Sequence, residues 1–209
     1  MRARIKTTIA LFLLLPTAAV SVHPAFAQAP AQPDAAIEKP FRAELALGYS
    51  FLRSNAPPGG CGCFNLNGGR ATFAWRVKSA QFALVGDVTA AHSGAISNSG
   101  EDLTLSTFTA GMRYMPQLGR TRLQPYGQAL AGVAHSSGSL VQGSSPGADN
   151  AGAAFAAHVG GGLDLRANHR FSVRLVEADY LLTTFDNGSN NHQNSLSLGA
   201  GIVVRFSNR

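Results

Sequence analysis

Three groups of residues in this chain have types and spacings that could do chemistry. In "HSSGS", His135 stands two residues before Ser137, with Asp149 further along the same stretch. A histidine beside a serine can take its proton and a carboxylate can orient the histidine, which is the equipment of acyl transfer to or from a lipid. Serine and glycine saturate this stretch, so such a trio arises by chance, and no catalytic residue is assigned. In "SNAPPGGCGCFNLNGG" the two cysteines of the chain, Cys61 and Cys63, are separated by one glycine. Two thiolates without a neighbouring histidine or acid cannot complete a metal site, which leaves a local disulfide or a pair of free thiols. The third group is spread along the chain: Arg42, Arg113, Arg174 and Arg205 against Glu44, Asp87, Asp164, Glu177 and Asp179. Near balance of this kind suits a buried interior, where charges persist when paired and hydrogen-bonded. The histidines His92, His158, His169 and His192 show no metal-ligand spacing, and "GGGLDL" lacks the spacing of a phosphate-cradling loop. Neither a metal nor a cofactor is expected.

What these residues can do depends on the elements that carry them. The chain opens with Arg2, Arg4 and Lys6, an apolar run from Ile9 to Leu15, and "AFA" at 25–27. That order predicts a secretory signal peptide over 1–27, cleaved before Gln28. The Pro- and Ala-rich residues 28–40 have no periodicity and read as a flexible leader, with one domain over 41–206. Secretion favours the disulfide between Cys61 and Cys63 over free thiols. A bridge across a single glycine would be strained and labile.

Three of the 17 lysines and arginines lie in the signal segment and all 11 acids lie downstream, so the basic excess of the remainder is only about +3. No basic run is interleaved with aromatics, which excludes nucleic acid as a partner. Charged residues make up 13% of the chain, and beyond residue 27 only Lys39 and Lys78 remain as lysines. Soluble proteins carry about a quarter charged residues. This surface is not built mainly for water.

From Phe41 onward apolar residues recur at every second position. In "NSLSLGAGIVVRF", Leu196, Leu198, Ala200, Ile202, Val204 and Phe206 share one face; Ser195, Ser197, Gly199, Gly201, Val203 and Arg205 share the other. This alternation predicts a strand, and "FRAELALGYSF" repeats it at the other end of the domain. Between them lie six more candidates, at about 65–77, 80–91, 103–115, 122–135, 153–166 and 170–183. Arg174 and Glu177 can share the polar face only if a bulge separates them, and "LQPYGQALAG" fits either phase. Connections alternate between short ("VKS", "PQLGRT", "ANH") and long ones rich in Gly, Ser and Asn. Short turns at one end and long loops at the other describe an antiparallel up-and-down sheet.

Two closed arrangements fit: a soluble ligand-binding barrel with its apolar face inward, or a membrane barrel with that face outward. The second face decides, being Gly, Ala, Ser and Thr with scattered Arg, Asp and Glu rather than the Lys and Glu of a solvated wall. Spanning strands of about 9 to 11 residues and a backbone fully paired by closure complete the requirement. The fold class expected is therefore all-β: an eight-stranded antiparallel up-and-down transmembrane β-barrel with short periplasmic turns and long extracellular loops. Eight strands enclose a space that side chains can fill, so the charges above, with His158, are expected to plug the lumen. A narrow ion path through the same groups is the alternative. The short-turn end collects Lys39, Arg76, Lys78, Arg120, Arg122, Arg170 and Arg209, while the long loops carry Glu101, Asp102, Asp149 and Asp186 against Arg53. A basic rim suits anionic headgroups, and solvated turn residues explain it equally well.

The segment "GGGLDLRANHRFSVRLVEADYLLTTF" followed by "NSLSLGAGIVVRF" resembles the closing strands of the small OmpA-like and OmpX-like outer membrane barrel family. Its most specific elements are Gly160 to Leu165, "EADY" at 177–180 and the final strand ending in Phe206. The resemblance implies a Gram-negative cell-envelope location and insertion by the barrel assembly machinery, which would read Leu198, Ile202, Val204 and Phe206. The "SNR" after Phe206 departs from that signal, and no room is left for a C-terminal wall-binding domain. The expected function is a non-enzymatic, monomeric outer-membrane barrel, contacting lipid and an unidentified extracellular partner through its loops. A porin-like channel for small solutes is the alternative, and a lipid-modifying surface enzyme the least favoured.

Overall fold

The computed structural model describes residues 41–55, 63–77, 81–96, 101–116, 121–138, 150–186 and 191–206. The signal and leader segments, Cys61 and Asp149 lie outside the described residues. Eight strands follow in chain order: β1 (Ala43–Ser54), β2 (Phe64–Arg76), β3 (Phe82–Ile96), β4 (Glu101–Tyr114), β5 (Leu123–Gly138), β6 (Asn150–Arg166), β7 (Phe171–Thr183) and β8 (Gln193–Phe206). Each pairs antiparallel with the next, and β1 pairs with β8 from Ala43↔Phe206 to Ser54↔Ser195, so the sheet closes into a barrel. Closure leaves no strand edge unpaired.

The side chains alternate as the sequence pattern requires, but in the inverse sense to a soluble core. Charged residues such as Glu44, Asp87 and Arg113 are buried, whereas Leu47, Phe73, Leu84, Phe108, Val133, Val159 and Ile202 are exposed on the outer wall. Apolar side chains of this size on a closed wall belong in hydrocarbon, as in a transmembrane barrel. Aromatics gather towards its two ends. Phe82 and Tyr114 pack at 5.2 Å near the short turns, and the exposed Trp75, Phe171 and Phe206 lie at the same end of their strands. Tyr180 donates to Asn194 Oδ1 at 2.5 Å, and Tyr49 to Asn67, near the long loops. Such girdles mark the two interfaces of a bilayer.

Two local features set which residues reach the interior. In β7, Arg174 pairs with Gly201 and Glu177 with Gly199, so Leu175 and Val176 together oppose Ala200. This bulge lets both charged residues point inward while Leu175 and Val176 both point outward. At Gly160, an added Cβ would sit 2.1 Å from Ala178 O and 2.5 Å from Asp179 Oδ1, so the wall there closes only without a side chain. At the long-loop end the strands run further than alternation suggested. The stretch "HSGAISNSGED" is mostly β3 and β4, with only 97–100 between them.

Candidate functional site inside the barrel

Two apolar clusters and a set of paired charges share the interior. Near the short turns Phe41, Ala74, Ala83, Val85, Met115, Tyr126 and Leu130 form one apolar cluster. Near the long loops Leu52, Leu66, Ala91, Leu105, Ala134, Ala156 and Leu181 form another, with Phe64, Leu103 and Phe185 packed on it. The buried charges pack against the first of these clusters, with Arg205 on Phe41 and Arg113 and Arg174 on Tyr126, and every carboxylate meets an arginine.

Arg70, at the middle of β2, is the hub. Its Nε donates to Asp87 Oδ2 at 2.6 Å and its Nη1 to Asp179 Oδ2 at 2.6 Å, with Glu177 Oε1 at 3.3 Å. Thr72 and Thr89 hydroxyls donate to the same Asp87 carboxylate at 2.8 and 3.2 Å. Gln128 Nε2 donates to Glu177 Oε1 at 2.7 Å and to Asp179 at 3.1 Å. Its own Oε1 accepts from Arg113 Nη2 at 2.8 Å, and Arg113 Nη1 donates to Glu44 Oε1 at 2.7 Å. Arg174 completes the chain, donating to Asp164 Oδ1 at 3.0 Å and Glu177 Oε2 at 2.8 Å. Tyr126 lies between two guanidinium groups, with Arg113 and Arg174 at 4.2 and 4.7 Å from its ring centre. Arg205 donates to Gln124 and stands 3.7 Å from Glu44 Oε2.

The buried set thus comprises four arginines, Arg70, Arg113, Arg174 and Arg205, and five carboxylates, Glu44, Asp87, Asp164, Glu177 and Asp179. Charge-assisted bonds of this length are the strong class of hydrogen bond. Their near balance offsets the desolvation that any one of these ions alone would suffer. A cavity of about 10 Å³, room for a single water, lies where Arg70, Arg174 and Glu177 approach Gly48, Gly199 and Gly201. His158 is fully buried, and neither ring nitrogen has a hydrogen-bond partner among the described residues.

Arg42 departs from expectation. It precedes β1 at a bend, where the two-residue alternation has not begun, and lies exposed with its guanidinium 4.8 Å from the Trp75 ring centre. Phe41 turns inward in its place, with Arg76 and Arg205 stacked at 3.9 and 4.7 Å. Arg70, absent from the expected set, was within reach of the same alternation. Stepping back by twos from the outward Trp75 and Phe73 puts Ala74, Thr72 and Arg70 on the inner face.

The remaining candidates lie elsewhere. Leu198, Ile202, Val204 and Phe206 face outward on β8. His135 and Ser137 also face outward, on β5, and Cys63 is exposed just before β2.

No family model matches the chain, and no curated protein matches it in sequence. Solved structures do match it. Neisserial surface protein A superposes with a TM-score of 0.63 at 17% identity, over 78% of this chain and 97% of that one. The attachment invasion locus protein Ail of Yersinia pestis superposes at 0.55 and 17% identity, over 79% and 99%. The fold is that of the small outer-membrane barrels. A further structure of Ail, at a TM-score of 0.53 and 16% identity over 79% and 99%, holds the heparin analogue sucrose octasulfate. With this fold the outward apolar belt and the inward charges become the expected sidedness of a wall set in lipid.

Proposed function

We propose that the chain is a non-enzymatic, integral outer-membrane barrel of a Gram-negative envelope, its lumen closed and its long loops holding the surface-interaction role. The observation that carries this is the inversion of sidedness: nine ionised side chains buried and mutually paired inside, large apolar side chains exposed outside. The paired charges and the two apolar clusters together support closure, since side chains fill the interior and, among the described residues, no carboxylate in it is left without an arginine. The outward Leu198, Ile202, Val204 and Phe206 suit recognition by the barrel assembly machinery. A sulfated partner like the one seen on Ail does not fit the loop sequences, in which Glu101, Asp102, Asp149 and Asp186 outnumber Arg53. Fractionation followed by gel migration with and without heating tests the reading. The protein belongs in the outer-membrane fraction and migrates faster unheated; recovery wholly from the soluble periplasm would refute it. Mass spectrometry of lipid A, unchanged between the parent and His135→Ala, tests the absence of lipid chemistry.

A further inference from the structure

The geometry points to the short-turn end of the barrel as a docking surface for anionic phospholipid headgroups, an inference that rests on the reading of the chain as a membrane barrel. Backbone hydrogen bonds tie the arginine-bearing strand ends into one arc. Arg76 N donates to Arg42 O at 2.9 Å, Arg42 N to Phe206 O at 2.8 Å, Arg205 N to Arg170 O at 2.7 Å, and Arg166 N to Arg122 O at 2.8 Å. The arc therefore follows the ends of β2, β1, β8, β7, β6 and β5. Along it Arg42, Arg122 and Arg170 are exposed.

Each exposed arginine stands where the apolar wall stops. Arg42 lies over Trp75, itself 42% exposed, while Arg122 immediately precedes the exposed Leu123 and Arg170 the exposed Phe171. An amphipathic ring at that depth sits at headgroup level, so the guanidinium stacked on it is held at the height of lipid phosphates. The acids near this end, Glu44 and Asp164, are buried and bonded to Arg113 and Arg174. Among the described residues no exposed carboxylate lies at this end. A rim of exposed guanidinium groups with no exposed counter-charge among the described residues complements phosphate, which guanidinium binds with two parallel hydrogen bonds. A zwitterionic headgroup carries its own ammonium and gains less. Arg42 thus belongs to this rim and not to the interior charge set.

Trp75 is the single tryptophan of the chain and lies on this rim, so it reports the lipids beside Arg42. The refolded full-length protein is placed in mixed vesicles of phosphatidylcholine and phosphatidylglycerol. One or the other lipid is brominated near the headgroup end of its acyl chains, and quenching of Trp75 is compared. At low salt phosphatidylglycerol should be enriched around Trp75 several-fold over phosphatidylcholine, and Arg42→Gln should lower that ratio by roughly fivefold. About 1 M salt, which shortens the screening length to about 3 Å, should bring it towards one. Equal quenching by the two lipids, or a ratio independent of salt, overturns the proposal. The salt series on the parent protein decides the matter even where the variant fails to fold. Quenching by neither lipid would instead defeat the membrane reading itself.

Discussion

Replacing Arg70 by Met separates a dry lumen from a wet one. Arg70 makes two contacts of 2.6 Å with carboxylates and one of 3.3 Å, and its side chain and that of Asp87 are 4% and 0% exposed. At an effective dielectric of about 20, each short contact is worth about 6 kcal/mol and the longer one about 5, before desolvation of the guanidinium is subtracted. Removing one partner of a buried pair costs about 3 to 5 kcal/mol, because the carboxylates left behind remain buried. A solvated pair is worth only about 1 kcal/mol or less. Arg70→Met also takes the buried set from four arginines against five carboxylates to three against five. Urea unfolding in a fixed detergent or lipid, followed by loss of the fast-migrating band, should show destabilisation within the larger range. Arg70→Met with Asp179→Leu restores the original charge difference and should recover part of the loss, with a coupling of about 0.5 to 3 kcal/mol. A single variant within about 1 kcal/mol of the parent would refute the dry ion-pair core.

Further outcomes follow from the wall and the first loop. Deleting Leu175 removes the bulge and turns either Arg174 or Glu177 into lipid. A charged side chain on the lipid face costs up to about 2 to 4 kcal/mol, the more the deeper it lies, so the heat-modifiable fraction should fall. Gly160→Ala meets backbone and carboxylate oxygens, and should cost about 1 to 3 kcal/mol in the same urea assay. Gly86→Ala, where an added Cβ has nothing within 4 Å, is the control and should lie near zero. Cys61 and Cys63, if bridged, should take up a thiol label only after reduction; labelling of the untreated protein would count against the bridge.

The eight strands were legible because one face of each is strongly apolar and the other is not, as in β8. The bulge was legible too: Arg174 and Glu177 are both costly to expose to lipid, and only an inserted residue lets them share a face. Arg42 escapes the alternation because it stands at a bend one residue before β1 begins at Ala43. Period alone does not say where a strand begins. In β5 Gly127, Ala129 and Ala131 face outward, while Tyr126 and Gln128 face inward. Small residues on the lipid side give little contrast, which hid the role of Gln128 as the bridge between Arg113 and two carboxylates. The way nine charges on seven strands sort into pairs depends on the tilt and stagger of the closed wall, and no single strand carries that information.

Closure of the lumen around these charges is the central claim, and single-channel recording addresses it most directly. Protein whose insertion is first established by its heat-modifiable migration is recorded in a planar bilayer at high salt. The paired interior and its two apolar clusters predict a baseline without conductance steps above that of the bare membrane. Reproducible steps that scale with salt concentration would contradict it.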